Sequence, residues 1–259
     1  MPSAYAHLRF GRESIADLPP KYRGLSKALD QLYLVGLQGP DPLFFHNPLI
    51  SADPVERLGL RCHAMTGKDF FEAAVQRYEK TPSEGALAYL FGVLCHYCLD
   101  KHCHPLIDTM TENSGLDHMA LETEFDRFLL QKDGLLPLHR QPVSGSLALT
   151  RGGRATAASL YPELSPAAFG WGLRNMSLVY RVAASRNRKF AKTLLGLGGR
   201  RGRAFLMSTG PDPKYAHLDQ PLLECYQAAR EALPAMARAL ADRIENKQPL
   251  EEGFEANFD

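Results

Sequence analysis

The sequence predicts an all-α fold, a multi-helix bundle, and three observations support this class. Helix-start patterns recur along the chain, several segments have apolar residues at helical spacing, and no stretch combines strand-like alternation with hairpin turns. The chain has 259 residues, of which 45% are hydrophobic, enough for one large core. We therefore expect one helical domain over 1–259, and 131–146 is the best place to look for a linker.

The first two helix starts are read from caps followed by proline. In "SADPVERLGLRCHAM" Asp53 is the expected N-cap and Pro54 the first helical residue. In "TPSEGALAYLFGVLCHYCLD" Thr81 and Pro82 repeat this pattern. A glutamate follows three residues after each cap, as in a capping box. Both segments are therefore predicted helices.

Later helices follow from the same signals. Residues from about 116 to 132 form a predicted helix with Ser114 as its cap, and residues from about 221 to 246 form another. Segments 18–37 and 166–196 supply further helical turns. Two turn-rich segments separate these helices, "LQGPDPLFFHNP" (37–48) and "PVSGSLALTRGG" (142–153).

The chain carries no readable membrane or export signal. Its first residues, "MPSAYAHLRFGRES", lack a basic segment followed by an apolar run, and no later stretch reaches about 18 uncharged apolar residues. The five cysteines are odd in number and lie mostly near histidines, which does not resemble a disulfide framework. We expect a cytoplasmic protein with reduced thiols.

The formal net charge is only +1, but basic residues are concentrated in one stretch. Between Leu164 and Pro211 there is no aspartate or glutamate, whereas Lys and Arg recur from Arg174 to Arg203. This stretch indicates either an anionic partner, which includes a peripheral membrane surface, or a solvated face offset by acidic surface elsewhere.

The segment "HYCLDKHCHP" contains the side chains that metal ions prefer. At about 100° per residue, His96, Asp100 and His104 lie along one stripe of a helix. In "HMALE", His118 and Glu122 are again four residues apart. One such pair is more often a hydrogen-bonded pair, but two helices that each present histidine and carboxylate favour a metal site.

Two of the cysteines offer a rival interpretation. Cys95, Cys98 and His102 fall on the other side of the same helix, as a structural zinc or redox site would require. A C-x2-C zinc site needs a second pair at a standard spacing, which neither Cys62 nor Cys225 provides. Buried thiols that act as small apolar side chains are the preferred interpretation.

Five blocks occur in the order typical of one known family. They are "AHLRFG", "GLQGPDPLFF", "LRCHAMTGKDFF", "AYLFGVLCHYCLDKHCHPLI" and "HMALETEFDRFL". Together they resemble the zinc-dependent phospholipase C family, which is related to the single-strand-specific zinc nucleases. The resemblance covers 7 to about 130. It assigns metal binding to approximately 1–132 and leaves 133–259 as a helical second half.

The resemblance implies an all-helical domain that binds two or three zinc ions. Asp100 is implied as a bridge between two metals, and Asp41 as both a ligand and the residue that activates water. His104 matches the histidine that closes its block, with His102 as a competing candidate. The implied ligands are His7, Asp41, His63, His96, Asp100, His104, His118 and Glu122.

The expected function is that of a metal-dependent phosphoric ester hydrolase, phospholipase C-like in type. Zinc ions held close together polarise phosphoryl oxygens and supply hydroxide near neutral pH. The substrate is a phospholipid or a nucleotide-like ester. Two alternatives remain, a nuclease or nucleotidase of the same fold and a non-catalytic metal- and anion-binding protein. Secreted members also use their mature N-terminal amino group as a ligand, whereas Met1 stands six residues before His7 here.

Overall fold

The computed structural model describes residues 4–47, 53–136, 138–251 and 253–258. Within these ranges all regular secondary structure is helical, and the β-type pairing is limited to an isolated bridge between Thr66 and Asn257. The predicted all-α class is therefore confirmed.

The helices are numbered in chain order. The first half contains α1 (Ala4–Ser14), α2 (Pro20–Ala28), α3 (Asp30–Gly36), α4 (Pro54–Ala64), α5 (Gly67–Lys80), α6 (Glu84–Ser114) and α7 (His118–Lys132). The second half contains α8 (Val143–Ser146), α9 (Arg151–Ala158), α10 (Pro166–Ala183), α11 (Arg188–Gly196), α12 (Gly199–Ala204) and α13 (Asp219–Asn246). Short 3₁₀ turns are Ile15–Asp17, Asp41–Phe45, Leu138–Arg140 and Ala216–Leu218.

The long helix α6 is the centre of the fold. Its stretch "ALAYLFGVLC" is apolar nearly all round, and every residue from Ala86 to Asp100 is buried. Helices α1, α2, α3, α9 and α13 all pack against α6. Because α9 and α13 belong to the second half of the chain, both halves contribute to the core around α6.

Two glycines bring α3 and α6 unusually close together. A Cβ on Gly36 would lie 2.3 Å from the Tyr89 carbonyl oxygen, and a Cβ on Gly92 would lie 2.4 Å from the Tyr33 carbonyl oxygen. Only glycine fits at such a crossing. The close crossing brings the residues that follow α3 next to the inner side of α6.

The predicted N-cap of α4, Asp53, is confirmed. The Asp53 carboxylate accepts hydrogen bonds from the backbone N–H groups of Val55, at 2.8 Å, and Glu56, at 3.1 Å, at the start of α4. This is the predicted N-cap. The cap also accepts from Asn47 Nδ2 at 2.6 Å, so it is fixed from outside the helix.

Two other predicted caps are wrong. Ser83 caps α6 by accepting from the Ala86 N–H, whereas Thr81 ends α5. Ser114 is the last residue of α6, and Gly115 ends that helix at φ 62°. Asp117 is the cap of α7. In both segments several cap-type residues are adjacent, and the length of the preceding helix decides which of them is used.

The segments predicted as turn-rich contain short helical elements. Residues 41–45 form a 3₁₀ turn, and 142–153 includes α8 and the first turn of α9. Residues 48–52 of the first segment lie outside the described residues. In the described part of the chain no helix has the length and apolar character needed to cross a bilayer.

The last described segment, 253–258, crosses the ends of α4 and α5. The N–H groups of Gly67 and Lys68 donate to the carbonyls of Ala256 and Phe254, at 2.8 and 2.7 Å. The Phe258 N–H donates to the His63 carbonyl at 3.0 Å. This segment therefore lies against the end of α4, where His63 is located.

Candidate metal centre

Three groups of histidine and carboxylate side chains converge inside the bundle. In each group the nitrogen and oxygen atoms lie within 4.8 Å of one another. The groups are His7 with His96 and Asp100, Asp41 with His63 and His96, and His104 with His118 and Glu122. The structure therefore brings together every side chain proposed as a ligand from the sequence.

Two side chains join the three groups into one cluster. His96 belongs to two groups, because its Nε2 lies 2.9 Å from Asp100 Oδ2 and 3.8 Å from Asp41 Oδ1. Asp100 Oδ1 lies 3.2 Å from His7 Nε2 and 3.5 Å from His104 Nε2. The carboxylate of Asp100 thus stands among imidazoles of different groups, where a bridge between two metals would stand.

Helical geometry explains which residues of α6 join the cluster. His96, Asp100 and His104 follow one another every four residues along one stripe and are all buried. His102 points elsewhere, and its Nδ1 lies 2.7 Å from the Cys98 carbonyl oxygen. The structure therefore places His104, and not His102, beside Glu122, with 3.3 Å between Nε2 and Oε1.

The cysteines of α6 do not form a second site. Tyr33 Oη lies 3.4 Å from Cys95 Sγ, and Cys98 Sγ donates to the Ala229 carbonyl at 3.2 Å. Burial raises the pKa of the Cys95 thiol to about 12 and that of Cys98 further still. In the described part of the chain no thiol belongs to a metal-type group. They are buried small side chains, as predicted.

An aspartate that was not predicted from the sequence fixes the start of α1, the helix that carries His7. Asp126 of α7 is buried and accepts hydrogen bonds from the N–H groups of Tyr5, at 3.0 Å, and Ala6, at 2.8 Å. These are orphan donors of the first turn of α1, so a carboxylate from another helix caps α1. Asp126 lies four residues after Glu122 on α7, so the sequence alone could have placed it on the same face of the helix as the proposed ligand.

Backbone carbonyls orient three of the imidazoles. The Nδ1 atoms of His63, His96 and His104 lie 2.9, 3.2 and 2.5 Å from the carbonyl oxygens of Gly59, Leu37 and Phe258 respectively. A carbonyl oxygen only accepts, so each Nδ1 carries the hydrogen. Each Nε2 then faces the cluster, which is the arrangement found in metal-binding histidines.

Several atoms of the cluster lack hydrogen-bond donors in the described part of the chain. Both carboxylate oxygens of Asp41 and the Nε2 atoms of His63 and His96 are buried without one. The 3.2 Å approach of His63 Nε2 to Asp41 Oδ1 joins two acceptors when Nδ1 carries the hydrogen. Burying acceptor atoms without donors costs desolvation free energy unless a cation binds between them. Imidazole nitrogen and carboxylate oxygen are ligands that zinc prefers. The residues therefore fit a group of zinc ions.

Charges in the cluster shift pKa values strongly. Burial would by itself raise the pKa of Asp100, but the surrounding His96, His104 and His7 hold it well below its ordinary value. Burial would by itself lower the pKa of His104, but Asp100 and Glu122 raise it to about 9. The metal-free cluster thus keeps a proton on His104, which a metal ion has to displace.

Access to the cluster is greatest on the side of α7. The His118 side chain is 27% exposed, whereas those of Asp100 and Glu122 are 4% exposed. His118 Nδ1 lies 3.4 Å from Asp108 Oδ1, a half-exposed carboxylate that the sequence analysis also missed. A cavity of about 390 Å³ lies against α7, lined by its cap Asp117, by Thr123 and by Arg203 of α12, but none of the cluster residues is among the described residues that line it.

Comparison with known proteins identifies the family. A family model described as zinc dependent phospholipase C matches residues 6–159, which is more than half of the chain. No curated protein and no solved structure gave a significant match. The match includes all the elements that carry the clustered side chains, from α1 to α7. The chain belongs to the zinc-dependent phospholipase C family, and the family and its clustered side chains support a metal-dependent hydrolase.

Proposed function

We propose that this protein is a zinc-dependent hydrolase of phosphoric esters, phospholipase C-like in its chemistry. The observation that carries the proposal is the joining of the three donor groups, through His96 and Asp100, into one buried cluster. A structural zinc site is closed by four ligands around one ion, whereas this cluster has donors for two or three. Membership of the family supports the same chemistry.

The proposal assigns a role to each part of the cluster. His7 and Asp100 would hold one ion, Asp41 and His63 a second, and His104, His118 and Glu122 a third. His96 has one lone pair, on Nε2, because its Nδ1 donates to the Leu37 carbonyl, so it would complete either the first or the second of these sets. Zinc bound in this way supplies Lewis acidity toward a phosphoryl oxygen and lowers the pKa of a bound water.

Asp41 is the proposed base. Among the described residues neither of its oxygens has a hydrogen-bond donor, so the oxygen that does not bind zinc can accept the proton of an attacking water. Its position in a 3₁₀ turn after Gly39 and Pro40 fixes it without a flexible loop. The carbonyls that hold His63 and His96 keep those rings from rotating toward the same water.

A phospholipid is the proposed substrate. The Phe44 ring is half-buried and lies 5.0 Å from the His63 ring, which supplies an apolar surface beside the cluster. Phe45, its neighbour, is buried in the core and is not available. An apolar contact of this kind suits the glycerol and acyl part of a lipid.

The test combines metal analysis with an ester panel. Purified protein loaded with zinc should hold two or three ions, should hydrolyse a phosphocholine ester, and should lose this activity with a chelator. Asp100→Asn should lose metal and at least about 100-fold of the turnover, because the central carboxylate is gone. Glu112→Gln, which replaces an exposed carboxylate of the same helix by its amide, is the control for Asp100→Asn and should change neither metal content nor turnover.

Other outcomes would identify the alternatives. Turnover of nucleotide or oligonucleotide substrates without turnover of phosphocholine esters would indicate a nuclease or nucleotidase. Bound zinc without turnover of any ester would indicate a metal-binding protein. Full metal content and full rate in Asp100→Asn would refute the proposed centre itself.

A further inference from the structure

The outer side of α10 carries exposed apolar and basic residues that the proposed chemistry does not use. Trp171, Arg174, Leu178 and Arg181 are all exposed and follow one another at intervals of three, four and three residues. This spacing places them on one stripe of the helix. Trp171 and Leu178 are 45% and 53% exposed, and the Arg174 guanidinium lies 5.2 Å from the centre of the Trp171 ring.

Helix α11, which packs against α10, repeats this composition. Phe190, Leu194 and Leu197 follow at intervals of four and three residues and are 51%, 39% and 73% exposed. Lys189 and Lys192 are exposed beside them. The opposite face of α11 packs into the core through Ala191 and Leu195, so this helix has apolar residues on its exposed face as well as on its buried face. We call the two exposed stripes together the α10–α11 surface.

The basic side chains of this surface are not used in ion pairs. Within the described residues, Lys189, Lys192 and Arg181 have no acidic partner, and the sequence has no aspartate or glutamate between Leu164 and Pro211. Arg188 is different, because it donates to the carbonyl oxygens of Ala183 and Met207 and so stabilises the turn before α11.

We infer that the α10–α11 surface binds the face of an anionic lipid bilayer. The inference rests on the proposed function, because the bilayer would be the place where the enzyme encounters its phospholipid substrate. Lysine and arginine near a bilayer are attracted to anionic headgroups, and exposed leucine, phenylalanine and tryptophan enter the headgroup–acyl boundary. Single-stranded nucleic acid would use the charges and the aromatic rings, but not Leu178, Leu194 and Leu197.

Helix α12 connects this surface to the metal centre. Arg200 donates to Asp117, the cap of α7, and Arg201 donates to Glu56 in the first turn of α4, at 2.8 and 3.0 Å. Helices α4 and α7 carry His63, His118 and Glu122. Binding through α10 and α11 would therefore hold a bilayer at a fixed position relative to the helices that carry these side chains.

The single tryptophan makes a direct test possible. Trp171 is the only tryptophan of the chain. Zinc-loaded protein should bind vesicles of phosphatidylcholine with phosphatidylglycerol at least about tenfold more tightly than vesicles of phosphatidylcholine alone. Trp171 emission should shift to the blue and be quenched by lipids brominated near the headgroup. Binding without a blue shift, or equal binding to both vesicles, would overturn the inference.

Matched variants distinguish binding by this surface from the effect of changing hydrophobicity or charge anywhere on the protein. Phe190→Ser with Leu197→Ser should weaken binding at least about tenfold, and Leu60→Ser, at an equally exposed leucine of α4, should not. Lys189→Glu with Lys192→Glu should weaken it similarly, whereas Lys27→Glu with Lys80→Glu, an equal charge change, should not. All variants should keep the native rate on a soluble, monomeric ester.

The two proposals can fail separately. Vesicle binding without hydrolysis of any ester would leave the surface assigned and refute the proposed function. Hydrolysis of a soluble ester without vesicle binding would support the proposed function and refute the bilayer-binding surface. Oligonucleotide binding that is lost in the lysine variants but kept in the Phe190 and Leu197 variants would also overturn the bilayer assignment.

Discussion

Gly39 occupies the most crowded position beside His96. Its backbone has φ +50°, and a Cβ at this residue would lie 2.3 Å from His96 Cδ2. Gly39 also directly precedes the Pro40 and Asp41 that begin the 3₁₀ turn. A single backbone position therefore determines the location of two side chains of the cluster.

We predict that Gly39→Ala will weaken zinc binding at least about tenfold. The methyl group would displace the His96 ring, and the positive φ would strain the backbone by about 1 kcal/mol or more. Competition with a chromophoric chelator measures the affinity. Gly24→Ala is the matched control, because a Cβ there meets no atom within 4 Å. Native affinity in Gly39→Ala would show that the His96 ring does not have to keep its position.

At the level of single residues, sequence reasoning found the side chains of the cluster but not their supports. The i, i+4 spacing and the order of the five blocks are local signals, and they indicated His96, Asp100, His118 and Glu122. The hydrogen bond of Asp126 to Tyr5 spans 121 residues, and that of His104 to Phe258 spans 154. Such partners depend on how distant helices pack, which a spacing does not encode.

Among the helices, α1 depends on a cap that another helix supplies. The Asp126 carboxylate accepts the first N–H groups of α1, and His7 lies within the same turn. The sequence therefore could not predict where α1 begins from its own residues. The two incorrect caps, Thr81 and Ser114, have a different origin, because each of these residues ends the preceding helix and a neighbouring cap-type residue begins the next one.

We predict that Asp126→Ala will destabilise the protein by about 1–3 kcal/mol, because buried N–H groups at the start of α1 lose their acceptor. Zinc affinity should fall as well, since the position of His7 is released. Urea unfolding and zinc titration measure the two effects. Asp30→Ala provides the control, because this aspartate at the start of α3 is exposed and, within the described residues, accepts a hydrogen bond from its neighbour Gln31 alone. A loss of stability with unchanged zinc affinity would mean that His7 does not bind zinc.

In the molecule as a whole, the proposed metal binding should be linked to folding. The cluster buries carboxylates and imidazoles whose charges and acceptors a cation would satisfy. The all-α class and the central apolar helix were predictable from composition and periodicity, because burial of apolar surface decides them. The division into approximately 1–132 and 133–259 remains a prediction about the chain, although α9 and α13 both pack on α6.

We predict that zinc stabilises the protein more at pH 9 than at pH 7. The metal-free protein has a His104 pKa of about 9, above the ordinary value of 6.5. The stability that this protonated imidazole contributes is complete below pH 6.5 and is lost as the pH rises through 9. Zinc requires neutral imidazole, so its affinity rises over the same range.

Thermal unfolding with zinc and with a chelator, at both pH values, measures this difference. Zinc at about 1,000 times its Kd should add about 4 kcal/mol, which a chelator removes. Equal zinc stabilisation at pH 7 and pH 9 would contradict a protonated His104 in the metal-free cluster.

The carbonyl of Phe258 has a consequence for any shortened polypeptide. A chain restricted to residues 1–159 would contain the whole stretch that matches the family and every side chain we assign to zinc. It would lack the acceptor for His104 Nδ1 and the aromatic ring that packs on His63 and His96. The hydrogen bond that keeps hydrogen on Nδ1 of that imidazole would then be lost, while Glu122 would still face Nε2. The recognisable segment would therefore be incomplete by itself, because residues encoded about a hundred codons later orient one of its proposed ligands.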